Sequence, residues 1–167
     1  MTDATLDAMV RRLSRVTEEI FHEEGEIDTC WLVDIPGEGQ KLIASPVVVP
    51  PGVSPGEVKD HLAYAMRGLF ERLNVTRYAH ASECWIGSGD AGDTQEWIAE
   101  HGSLANYPGR REAIVINAED GHELLLAMRT IIRPEHGKSY LTKLEIDRAG
   151  GMIGRFTGLL PARPVMQ

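Results

Sequence analysis

Two long apolar runs joined by Asp120-Gly121 restrict what this 167-residue chain can fold into more than any other feature. The first run, "REAIVINA" (111–118), is apolar on both faces apart from Asn117. That pattern predicts a strand central in a sheet and covered from two sides. Asp-Gly favours the positive φ angles of a tight hairpin turn, so "HELLLAMRTIIR" (122–133) returns beside the first run as its antiparallel neighbour.

The remaining segments are read around that hairpin. Leu6, Met9, Val10, Leu13, Val16 and Ile20 recur at helical spacing, with Thr2 or Asp3 as cap and Gly25 as terminator. The last turns of this helix hold Glu18, Glu19, Glu23 and Glu24, the wrong sign for a helix C-terminus. "IDTCWLVDI" (27–35) alternates as a half-buried strand, and "PGEG" turns it into a second strand whose Pro46 points to an edge or a bulge. Ser54, Pro55 and Glu57 form a capping box, starting a helix to about Asn74 with Val58, Leu62, Ala65, Met66, Leu69 and Leu73 as its stripe. "RYAHASECWIG" (77–87) is a third strand. A long connection with a short helix near Gln95–His101 follows it. After the hairpin, "SYLTKLEID" (139–147) adds a strand and "MIGRFTGLL" (152–160) a last short one. The order predicts one α+β domain over residues 1–167: a mainly antiparallel sheet of about six strands, with the N-terminal helix and a second helix (about 54–73) packed on one face. Residues 160–167, with Pro161 and Pro164, read as an extended tail.

Composition narrows the partners. A net charge of −8 argues against nucleic acid, since phosphate recognition needs a basic stripe. No run of eighteen apolar residues exists to span a membrane, and the N-terminus lacks a secretory apolar core. Cys30 and Cys84 each sit in an apolar run, which suits two buried free thiols and a reducing compartment. The expectation is a cytoplasmic protein without nucleic-acid or membrane partners.

Motifs with chemical meaning are few. "GSGDAG" (87–92) matches G-x-G-x-x-G, and Glu112 falls where a ribose-binding acid belongs. Asp90 and Asp93 would repel the pyrophosphate, and the helix that follows is too short for a βαβ crossover. No cofactor is expected there. Asp90, Asp93 and Glu96 could surround a hard cation, but Asp93 capping a helix with Glu96 three residues on is simpler. His80 and Cys84, four apart in a strand, lie about 13 Å apart and cannot share one zinc. No metal site is expected.

Charges inside strands remain. Arg77, Ala79, Ala81, Glu83 and Trp85 share one face of their strand, and Arg129 and Arg133 share one face of theirs. A carboxylate amid Ala, Cys and Trp needs a partner. A Glu83–Arg129 cross-strand pair is the economical choice, with Arg111 or Arg77 as substitutes. Such a pair either fixes strand register or lines a small-molecule site with Trp85 as a stacking wall.

"SECW", the loop that follows, "YPGRREAIVINAEDG" and a strand ending "IIRP" resemble small uncharacterised proteins of bacteria and their phages. The resemblance covers about residues 75–135 and carries no assigned activity. It implies a phage or mobile-element origin and groups Glu83, Trp85, Arg111 and Glu112 as one cluster, to which the pairing argument adds Arg129. The functional expectation is a non-enzymatic module that self-associates as a homo-oligomer or docks on a protein. The alternative is a small hydrolase- or transferase-like enzyme using the Glu/Arg/Trp-lined face.

Overall fold

The Asp120-Gly121 hairpin sets the middle of the sheet. The computed structural model describes residues 5–45, 48–87, 91–147 and 156–161. Strand β4 (Arg110–Glu119) turns into β5 (Leu124–Ile132), and Asp120 Oδ1 accepts from the backbone N–H groups of His122 and Glu123 at 2.9 Å to close the turn. Gly121 takes φ +85°, which a side chain would disfavour. On its other side β4 pairs with β3 (Arg77–Gly87), β3 with β1 (Cys30–Ile35), and β1 with β2 (Gly39–Ala44). β6 (Tyr140–Leu141) and β7 (Glu145–Asp147) both pair with the outer side of β5. Every described pairing is antiparallel, in the order β2-β1-β3-β4-β5-β6 with β7 also on β5. "AIVIN" is therefore central and β2 is an edge, as the apolar pattern and Pro46 predict.

Two helices cover this sheet, one on each face. α1 (Leu6–Glu24) lays Leu6, Met9, Val10, Leu13 and Phe21 on Cys30, Leu32, Ala79, Ala81, Ile114, Ile116 and Ala127. Its cap is Thr5, whose side chain accepts from the Ala8 N–H; Thr2 and Asp3 lie outside the described residues. Gly25 ends it at φ +80°. α2 (Pro55–Leu73) begins with the complete Ser54–Glu57 capping box and packs on Trp31, Val33, Ile35 and Tyr78. Those residues alternate with the ones under α1, so they point the other way.

The placement of both helices on one face is thereby corrected. "CWLVDI" is apolar at both its odd and its even positions, so β1 is buried on both sides rather than half-buried. A strand of that kind needs two covering layers. The buried stripe of α2 is Ala63, Met66 and Phe70, with Ala65 exposed, a rotation of about one residue from the predicted stripe. α3 (Ala91–His101) is longer than Gln95–His101, and Asp93 lies within its first turn rather than capping it. Asp90 lies outside the described residues. Of the last strand expected over 152–160, residues 152–155 lie outside the described residues and 156–160 form turn and bend. Residues 162–167 of the extended tail also lie outside them.

The α2-side layer contains a buried polar network. Tyr78 Oη lies 2.7 Å from both Glu119 Oε2 and the Phe156 carbonyl, so its single proton is shared between the two acceptors. Asn117 Nδ2 donates to the same carbonyl at 2.8 Å, which leaves its oxygen to accept from His80 Nδ1 at 2.9 Å. Glu119 accepts from Gly158 N, and Leu159 is fully buried among Trp31, Phe70 and Tyr78. The segment 156–161 is thus held on the sheet by side chains of β3 and β4. The His80 ring packs against those of Trp31 and Phe156, whose centres are 4.2 and 4.4 Å away. Burial drives the imidazole pKa down to about 4, although the Asn117 bond opposes the shift.

A folded-state pKa below the unfolded value of about 6.5 means that unfolding takes up a proton. His80 should therefore remove about 3 kcal/mol of stability between pH 7 and pH 4. Urea unfolding across that range checks this: the loss of stability from pH 7 to pH 4 should be smaller in His80→Gln, which lacks the imidazole, by about that amount.

Candidate functional site

Register decides which charges meet. Glu83 lies opposite Ile114, and Ile114 lies opposite Arg129, so β4 stands between the two charges. They share a face but are two strand spacings, about 10 Å, apart. The expected Glu83–Arg129 pair is therefore not formed. Arg129 reaches up to α1 instead, donating from Nε to Ser14 Oγ at 2.8 Å and from Nη1 to Glu18 Oε1 at 3.0 Å. The same Nη1 also donates to the Thr142 carbonyl at 3.1 Å.

The partner of Glu83 is Arg133, which continues the row of Arg129 and Ile131 just beyond β5. Its Nη2 lies 3.4 Å from Glu83 Oε1. It grips Glu112 with two bonds of 2.7 Å, from Nε and Nη2, in the fork geometry that suits a guanidinium and a carboxylate. Nη1 donates to the Gly25 carbonyl at 3.1 Å, and the guanidinium lies 5.7 Å from the Phe21 ring centre. Glu83 also accepts from the Ile27 N–H at 3.2 Å. The acidic end of α1 is thus met by two cations: Arg129 of β5 at Glu18, and Arg133, just beyond β5, at the carbonyl of the capping Gly25.

The other predicted residues divide between the two faces. Trp85 lies opposite Glu112 on the Glu83 face, is 42% exposed, and carries the Arg110 guanidinium 4.8 Å from its ring centre. Arg111 is exposed and alternates with Glu112, so it points away from the cluster. Structure therefore brings together Glu83, Glu112 and Arg133, keeps Trp85 beside them, and separates Arg111 and Arg129. Arg133 was visible in sequence only as a neighbour of Arg129 on the same strand face.

A cavity of about 380 Å³ opens at this end of the sheet, lined by Glu83, Glu112, Trp85, Cys84, Lys59 and Leu104 among others. Its chemistry is restrained. Burial pushes the Cys84 thiol up, away from the thiolate that would attack a substrate, and raises Cys30 to about 11. The two thiols are free and lie on opposite faces of the sheet. No histidine is among the described residues lining the cavity. Among the described residues, no three His, Cys, Asp or Glu side chains gather as a metal-holding group. No described helix is long and apolar enough to cross a membrane. Comparisons with family models, with curated proteins and with solved structures find no match to this chain.

Glu83 itself is held above the usual carboxylate range. Desolvation is the main cause, Glu112 and Glu26 add repulsion, and the Ile27 N–H and Arg133 pull the other way. A raised folded-state pKa favours folding at low pH, and that contribution is lost as pH rises through the folded value. The ionised Glu83 is therefore not a stabilising partner in its own right. Glu83→Gln should leave stability at pH 7 within about 0.5 kcal/mol of the native chain. Arg133→Met removes the donor described for Glu112 and the Gly25 carbonyl, and leaves Glu83 with the Ile27 N–H alone. It should lose about 1–2 kcal/mol, a figure held down because the guanidinium side chain is 42% exposed. Urea midpoints of the two variants check the contrast, and the reverse ranking would contradict the assignment of Arg133 as the central charge.

Proposed function

We propose that this chain is a non-enzymatic interaction module, acting by self-association or by docking on a protein partner. The observation that carries the reading is the outer edge of β2, which no described strand pairs. Leu42 on that edge is 49% exposed, and Val48, Val49 and Val53 follow it at 75, 42 and 38%. An edge strand with exposed apolar side chains is a template for another chain unless it is blunted. The interior charges support the same reading, because Glu83, Glu112, Arg129 and Arg133 are engaged with one another, with α1 and with backbone groups. We place the module in the cytoplasm on the strength of its two free thiols, without nucleic-acid or membrane partners. From the motifs within residues 75–135 alone, we also propose a phage or mobile-element origin.

The second reading is a hydrolase- or transferase-like enzyme, favoured by the cavity beside Glu83 and by the raised pKa of that carboxyl. Sedimentation velocity over a wide concentration range separates the two. Self-association predicts a concentration-dependent shift from monomer to dimer, and a docking module predicts a monomer without ligand protection at the Glu83 cavity. A chain that stays monomeric throughout, and whose small-molecule ligands protect the Glu83 cavity in hydrogen exchange, would favour the enzyme.

A further inference from the structure

We infer that β2 joins a second copy of itself, antiparallel, about a two-fold axis at Leu42. The inference rests on the interaction-module reading and names its surface, its occupant and its register. The backbone parity of β2 comes first. Ser45 N donates to Thr29 O at 2.9 Å, which marks 29↔45 as a hydrogen-bonded pair. With Cys30 opposite Ala44, the other pairs of this kind are 31↔43, 33↔41 and 35↔39. Lys41 and Ile43 therefore turn their N–H and C=O groups toward β1. Gln40, Leu42 and Ala44 turn theirs outward.

Outward groups at 40, 42 and 44 limit the self-pairings. Centring the axis on Leu42 pairs Leu42 with its own copy and Gln40 with Ala44 of the second copy. All three outward residues then bond, giving about six N–H···O bonds. Centring on Lys41 sets two ammonium groups directly opposite and leaves Ala44 outside the strand-to-strand ladder. Centring on Ile43 leaves Gln40 facing Pro46, which has no N–H to donate. The Leu42 register also sets the half-exposed Leu42 side chains against each other on the α1 side of the joined sheet.

Charge favours a second copy as the occupant. Each chain carries −8, so two copies repel over most of their surfaces. Residues 39–56 contain no Asp or Glu and a single Lys, and β2 with the exposed valines after it lies in that window. A strongly basic partner would be drawn to the acidic remainder of the molecule instead.

Two kinds of variant test the pairing in the full chain. In a Cys84→Ser background, Leu42→Cys should form a disulfide-linked dimer on mild oxidation, because hydrogen-bonded antiparallel partners lie about 5.5 Å apart at Cα. Lys41→Cys should not, its copies being diagonal neighbours about 7–8 Å apart. Leu42→Pro removes an outward N–H that β1 does not use, so it should give a monomer with unchanged circular dichroism. Cross-linking through Lys41→Cys in place of Leu42→Cys would overturn the register. A dimer that survives Leu42→Pro, or that cross-links at neither position, would place self-association on another surface and leave the module reading standing. A native chain that never dimerises overturns the inference outright, and partner docking then has to carry the module. Should Leu42→Pro fail to fold, the two cysteine variants decide the matter alone.

Discussion

β4 has almost no solvent-facing side along its middle, and that burial organises the rest of the molecule. Ala113, Ile114, Ile116 and Ala118 are each at most 1% exposed, and Asn117 is 6% exposed. A strand buried on both faces requires a layer above and a layer below. α1 supplies one layer; α2 and the segment 156–161 supply the other. Polar side chains that turn inward on β3 or β4 are therefore drawn to partners within the protein, although His80 Nε2 is buried without one among the described residues. Asn117 and Glu119 find theirs in the backbone of the C-terminal segment, and Glu83 finds Ile27 N and Arg133.

This arrangement gives the charges within the strands a structural part. Arg133 ties together the end of α1, β3 and β4 through Gly25, Glu83 and Glu112. Arg129 ties β5 to the middle of α1. Both cations lie where the glutamates of α1 would otherwise oppose its own dipole. Within the charges that the sequence places on these strands, Arg129 and Arg133 make the contacts that seat the first helix.

The parts legible in the sequence were those governed by local rules. The capping box at Ser54, the hairpin at Asp120-Gly121, the terminator Gly25 and the central position of "AIVIN" depend on neighbouring residues alone. The parts that were not legible depend on register and on layer choice. Glu83 and Arg129 do share a face, but no local signal reveals that Ile114 stands between them. In "CWLVDI" both sets of positions are apolar, the pattern of a strand covered on two sides, but nothing local says which element covers which side. The His80–Asn117–Phe156 contact joins residues as many as 76 apart, and its only local trace was the single polar residue in an apolar strand.

The edge of β2 is the longer of the two open edges of the described sheet, the other being formed by the short β6 and β7. Amide hydrogen exchange read residue by residue along 39–44, at low and at high protein concentration, tests the pairing of that edge most directly. The account predicts that Lys41 and Ile43, bonded to β1, are protected at both concentrations. Gln40, Leu42 and Ala44 should exchange freely when dilute and become protected when concentrated. Exchange at those three amides that does not change with concentration would contradict it.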